Sequence, residues 1–286
     1  MLREALFVVA FALPPLAFPQ QSDITFIVAG KTSNHRQQLD GSVKTLNYHF
    51  FAEIFRQSDG IVSPASIRPP FTASPIDFID GGYALEMHGG RYSSEQELEA
   101  NYPDGDYIFL FSAPSIGSVS QTVVMKNQRI SGSGLPAAPQ ILLSQAGRSV
   151  APDSINPALD LVVTWSEFSE GRLDPLGIMD DLLFVIMANC EGERIAHSGR
   201  PFENTPYLTF ADESFVIGAE IMHPENAYQI SVEHAILNTS FEHDVPAFAT
   251  FATTTFLDLM TTGSATDESV CPNILEHFDT GQTVLQ

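Results

Sequence analysis

The sequence predicts an all-β protein of two β-sandwich domains in series, and three observations carry that expectation. No apolar pattern of period 3.6 persists beyond a turn or two, whereas period-2 alternation recurs along the chain. Leu159, Leu161, Val163 and Trp165 alternate with Asp160, Val162, Thr164 and Ser166, as in a strand with one face in a core. Leu182 to Ala188 is apolar at every position, which suits a strand covered on both sides. Trp165, the only tryptophan, is therefore expected inside the C-terminal sandwich.

The elements follow in order. Arg3, the apolar stretch Leu6 to Leu13 and the break at Pro14-Pro15 read as a signal peptide over residues 1–20. That stretch is shorter than the roughly 20 residues needed to cross a bilayer, so an exported protein without membrane insertion is expected. Asp23 to Gly30 makes a first strand, Lys31 to Gly41 a polar segment, and Leu46 to Phe55 a long strand ending at Ser58-Asp59-Gly60. Ile61 to Ile67 returns until Pro69-Pro70 stops it, and Tyr83 to His88 adds another strand. Ser94-Glu95-Gln96-Glu97 matches a capping box and predicts a short helix over Glu95 to Ala100. Strands at Tyr107 to Phe111 and Gln121 to Lys126 complete a jelly-roll-like N-terminal domain, residues 22–131.

Ser131-Gly132-Ser133-Gly134-Leu135-Pro136 has linker composition. The second domain, 136–262, adds strands at Arg194 to His197, Tyr207 to Phe210, Phe215 to Ile217, Tyr228 to Ile236 and Phe248 to Leu259. Residues 263–286 form an acidic tail with no pattern.

Charge and cysteine content narrow the partners. Thirteen basic against 35 acidic residues leave a net charge of -22, which repels nucleic acid and anionic membranes and points to an extracellular polysaccharide or protein. Two cysteines in an exported chain permit one disulfide, Cys190 to Cys271, clamping the tail to the second domain.

Leu161-x-Val163-x-Trp165, Met222-x-Pro224-x-x-x-Tyr228-x-Ile230-x-Val232 and the terminal Thr253-Thr254-Thr255 together resemble a fibronectin type III or related immunoglobulin-like domain. The resemblance spans about residues 136–262 and makes Tyr228 a tyrosine corner. It implies a module for binding, spacing or adhesion. Leu98-Glu99-Ala100-Asn101-Tyr102-Pro103-Asp104-Gly105-Asp106-Tyr107 is similar to a stretch preceding such sandwiches in uncharacterised secreted bacterial proteins.

No Gly-x-Ser-x-Gly elbow, His-Glu-x-x-His pair or phosphate loop is present, so catalysis has no motif behind it. Glu86, His88 and Arg91 read as a solvated strand face, and His234, in phase with Ile230 and Val232, as a core histidine. Tyr83 and Tyr92 are the aromatic residues that could stack on sugar. The acidic loop carries Glu167, Asp174, Asp180 and Asp181, and the loop before the last strand carries Asp244; converging, they would form a weak Ca²⁺ site. The reading is a secreted or periplasmic, non-catalytic binding protein for a polysaccharide or surface protein. One alternative is a polysaccharide-acting enzyme using Glu53, Glu86 and Asp80, and another is a structural spacer of a surface assembly.

Overall fold

The computed structural model describes residues 23–57, 60–72, 74–127, 129–130, 134–203 and 205–269. The leader expected over 1–20 and Cys271 lie outside them.

The chain is all-β, as expected, and the strands form two layers. The N-terminal half supplies β1 (Ile24–Gln37), β2 (Val43–Arg56), β3 (Ala65–Arg68), β4 (Ile76–Asp77), β5 (Ile79–Asp80), β6 (Ala84–Tyr92), β7 (Gly105–Ala113) and β8 (Gly117–Met125). An α-helix, α1 (Glu95–Asn101), precedes β7. Its cap is the one expected: Ser94 Oγ accepts from Glu97 N–H at 3.2 Å. The C-terminal half supplies β9 (Ile141–Gln145), β10 (Arg148–Ser149), β11 (Leu161–Trp165), β12 (Leu182–Asn189), β13 (Arg194–His197), β14 (Leu208–Thr209), β15 (Ser214–Ile217), β16 (Ala227–Glu242) and β17 (Val245–Met260).

In the N-terminal half a sheet ordered β5-β6-β2-β1 faces one ordered β4-β3-β7-β8. In the C-terminal half β10-β9-β11-β15 faces β13-β12-β16-β17. With the two-residue strands β4, β5, β10 and β14 set aside, the order is the same in both: β1-β2-β6 matches β9-β11-β15 on one side, and β3-β7-β8 matches β12-β16-β17 on the other. The N-terminal half thus differs from a jelly roll and repeats the plan of the C-terminal half. A shared corner underlines the repeat. Tyr107 Oη donates to the Pro103 carbonyl at 2.9 Å, and His223 N–H donates to Tyr228 Oη at 2.8 Å. Both tyrosines follow a Pro-x-x-x-Tyr spacing, Pro103 to Tyr107 and Pro224 to Tyr228.

The halves are fused, not merely strung together. β1 pairs in parallel with β17, from Ile27↔Ala247 to Gln37↔Leu257, so one nine-stranded sheet runs through both. The two smaller sheets lie side by side on one face of it, over a continuous core that includes Ile27, Phe50, Phe109, Trp165, Val185, Ile230 and Phe251. This pairing explains why β1 is longer than the pattern suggests. Lys31 to Gln37 reads as a polar segment, yet it continues β1 in the interior. Its polar groups are satisfied along the seam: Ser33 Oγ meets Thr253 Oγ1 at 2.9 Å, and Thr253 donates to the Pro136 carbonyl at 2.7 Å. The Gln37 side chain donates to Ile141 O at 2.8 Å and accepts from Ile141 N–H at 2.7 Å, stitching β1 to β9. Lys31, fully buried, bonds Glu99 at 2.6 Å and Asp104 at 2.9 Å and so pins α1 and the following turn onto β1.

The loop expected before the last strand, carrying Asp244, is a tight hairpin. β16 reaches Glu242, β17 starts at Val245, and His243 and Asp244 take φ of 53° and 61°, the left-handed pair a two-residue turn between twisted strands needs.

Candidate functional site

The five carboxylates expected to converge on Ca²⁺ do not do so. Asp181 is buried and paired with Arg129 at 2.5 Å, and it also accepts from Arg172 N–H and Leu237 N–H, each at 2.8 Å. Asp174 organises its own loop, accepting from the backbone N–H groups of Leu176, Ile178 and Met179 and from the Thr239 hydroxyl at 2.5 Å. Burial acts to raise its pKa, but these donors outweigh that and hold it below the usual value. Asp180 accepts from Asp174 N–H at 2.7 Å, and Glu167 is exposed where the loop begins. Asp244 lies in the hairpin turn, five residues beyond Thr239 and so about 15 Å further along the strand direction. Among the described residues no group of three or more His, Cys, Asp or Glu side chains could hold a metal ion. The physical reason is local: a loop of this length folds by hydrogen-bonding its own backbone, and these acids are the acceptors.

Trp165 and Tyr228 are core residues, as their phase requires. His234 is buried against Phe168, rings 4.4 Å apart. Neither of its ring nitrogens has a partner, and burial pushes it down to about 4. Cys190 follows β12 and packs with Ala227 and Met260. Thiol titration of the denatured, unreduced protein is expected to find no free sulfhydryl; two reactive thiols would remove the proposed Cys190–Cys271 bridge.

What the structure gathers instead is the outer face of the nine-stranded sheet, opposite the two smaller sheets. The segment Gly199–Glu203, which follows β13, crosses this face as a strap towards the N-terminal half. Gly199 anchors it: φ is 85°, and a Cβ there would lie 1.8 Å from the Pro206 carbonyl oxygen. Phe202 stacks on Phe26 at 5.0 Å, itself stacked on Phe55 at 4.2 Å, and Tyr83 Oη donates to Glu203 at 3.3 Å. A cleft of about 450 Å³ opens at this end, lined by Thr25, Phe26, Arg56, Tyr83 and Phe202 among others.

Beneath the strap lie the carboxylates. Glu53 and Glu86 are cross-strand partners on β2 and β6. Burial, then the charge of Glu86, raises Glu53 to about 7, against the opposing pull of Arg200. Glu233 on β16 is also raised, by burial foremost, although it accepts from the Thr254 hydroxyl at 2.6 Å. Arg200 is within electrostatic reach of both acids. Farther along β2 is a platform of rings. Phe51 leans across Gly30, where any Cβ would lie 2.4 Å from its ring. His49 is 5.8 Å from Phe51 and 6.0 Å from His88, each pair within 20° of parallel. Burial, then Arg91 and His88, holds the imidazole of His49 down at about 4, so it is neutral near pH 7.

Of the residues singled out in the sequence, Glu53, Glu86, His88 and Tyr83 belong to this face. Asp80 does not join them as an acid, because Arg56 clamps it at 2.7 and 3.3 Å. Tyr92 donates to Gly89 O at 2.7 Å on another part of β6. Glu233, Arg200, Phe51 and Phe202 were missed, since nothing in the chain places a C-terminal loop over an N-terminal strand.

No family model matches this chain, and no curated protein matches it. Among solved structures, 20 chains match, including a crystal structure of the FN1–FN3 domains of chicken CNTN1. That one is 14% identical over 79% of this chain and 66% of the other, with a TM-score of 0.17, and so low a score carries no argument about shape.

Proposed function

We propose that this chain is an exported, non-catalytic binding protein of two fused fibronectin type III-like sandwiches, taking an extracellular polysaccharide along the outer face of its large sheet. The observation that carries the reading is the outer face itself: a ring platform and half-buried acids on its strands, crossed by a strap from the other half of the chain. Groups that accept or donate hydrogen bonds beside an apolar ring face are what a hydroxyl-rich polymer requires. The shared strand order and the two tyrosine corners support the sandwich family. Export is supported by Arg3 and Leu6 to Leu13.

Affinity electrophoresis of the protein recovered outside the cytoplasm, its N-terminus sequenced between Phe18 and Asp23, tests both parts. Retarded migration in gels of laminarin, xylan, alginate or polygalacturonate is expected. Unretarded migration in all of them sinks the binding reading and leaves the spacer; a full-length chain starting at Met1 sinks export.

A second reading has one specific observation behind it. Glu53 and Glu86 stand opposite each other with Glu53 raised to about 7, the kind of split that separates a general acid from its partner carboxylate. Release of reducing ends from any polymer that binds, abolished by Glu53→Gln, would replace the non-catalytic reading with this one.

A further inference from the structure

Four rings stand in a row at the strap end of the outer face. Phe26 and Phe55 stack in the middle at 4.2 Å; Phe202 stacks on Phe26 at 5.0 Å, and Tyr83 meets Phe55 edge-on at 5.6 Å. The inner pair is half-buried, but Phe202 is 44% and Tyr83 57% exposed, and both line the cleft of about 450 Å³. That volume lies in the range of roughly 300–1,000 Å³ typical of sites for small organic ligands.

Both outer rings are held where they are. Tyr83 Oη donates to Glu203 at 3.3 Å. Phe202 takes φ of 65°, a left-handed backbone that bulky residues seldom adopt. Strain of that kind persists only where the surroundings over-determine it, and it gathers at ligand sites. Here the stack on Phe26 and the crowded turn at Gly199 hold it. The polar lining of the cleft includes Thr25 and Gln57. Their side chains have no hydrogen-bond partner among the described residues, so both can donate to and accept from a ligand.

We infer, resting on the binding reading above, that this cleft is the sugar subsite of the outer face and takes about one or two pyranose rings of a neutral rather than uronic polysaccharide. A pyranose has a face of C–H groups and a rim of hydroxyls. The face suits an exposed, immobile aromatic ring, and the rim suits a hydroxyl and an amide beside it. Rings already fixed lose little freedom on binding, so more of the contact energy appears as affinity.

Selection against uronates follows from ion pairing and net charge. Among the described residues, Arg56 is the one charged side chain lining the cleft. Asp80 already pairs it at 2.7 and 3.3 Å, and the Gly82 carbonyl accepts from the same guanidinium. A uronate would have to displace Asp80, close to Glu203 and against a net charge of -22.

Tyr83→Leu and Phe202→Leu keep apolar bulk on Phe55 and Phe26 but remove the flat ring, whereas Tyr83→Phe keeps the ring and loses the Glu203 bond. Titration calorimetry of the full chain against oligosaccharides of laminarin and of xylan, with a melting temperature for each variant, compares these with the parent and with His49→Ala on the ring platform. The parent is expected to bind at least one of the two. Each leucine variant is expected to weaken that binding about tenfold at an unchanged melting temperature, and Tyr83→Phe to stay within about twofold. Parent-like affinity of both leucine variants, or loss in His49→Ala alone, overturns the cleft while the binding reading stands. An equal loss in Tyr83→Phe and Tyr83→Leu overturns ring stacking at Tyr83. Retardation in alginate or polygalacturonate gels but in neither laminarin nor xylan overturns the preference for neutral sugars. Unretarded migration in all of them removes the binding reading, and the subsite with it.

Discussion

Trp165→Ala should destabilise the protein by about 3–5 kcal/mol, the range for removing a large aromatic side chain from a close-packed interior. Trp165 is 9% exposed and sits at the end of β11, opposite Ile141 of β9, in the core shared by both halves. The cavity left behind would lie between strands tied by backbone hydrogen bonds, so it cannot collapse without breaking the β9–β11 register. Because β1 and β17 belong to one sheet and one core, the loss is expected to move the unfolding of the whole protein. Denaturant titrations followed by far-UV circular dichroism measure it. A midpoint equal to the parent's would place Trp165 outside the core. Two separate transitions, only one of them shifted, would show that the halves fold independently despite the shared sheet.

Asp181→Ala should cost a similar amount, about 3–5 kcal/mol, for a different reason. Asp181 is 2% exposed and accepts from three donors on separate segments: Arg129 after β8, Arg172 in the acidic loop and Leu237 on β16. Removing the carboxylate leaves the Arg129 guanidinium, mostly buried, without its counter-charge and two backbone N–H groups without acceptors. Asp181→Asn keeps one of the two oxygens, so Leu237 N–H on Oδ1 can stay bonded while the Arg172 N–H and Arg129, both on Oδ2, meet an NH2 donor instead, and its cost should approach that of the alanine variant. Thermal and denaturant melts of the two variants side by side separate these contributions. A loss below about 1 kcal/mol for the alanine variant would mean the pair behaves as an exposed one, whose usual worth is that small.

Asp181 also marks where sequence and structure part. As a sequence it is one acid among several in an acidic loop, and a cation is a reasonable reason for such a cluster. The partner that decides its role, Arg129, is 52 residues away, beside a Gly/Ser linker, and no local pattern connects the two.

Several features were set by the sequence alone. Alternation put Trp165, Tyr228 and Ile230 in the interior, because a strand has only two faces and one of them must leave water. The capping box located α1 within a residue, since a helix start is satisfied by its own neighbours. The Pro-x-x-x-Tyr spacing was also present twice, and it could have revealed the repeated plan of the N-terminal half. What only the tertiary structure decided is everything that depends on strands far apart in sequence lying side by side. The parallel pairing of β1 with β17 joins residues more than two hundred positions apart and turns the polar stretch Lys31 to Gln37 into interior strand. It also brings the strap after β13 over β2, which places Arg200 near Glu53. Periodicity reports how each strand divides its own side chains between two faces; which strands share a face is a property of the assembled sheet.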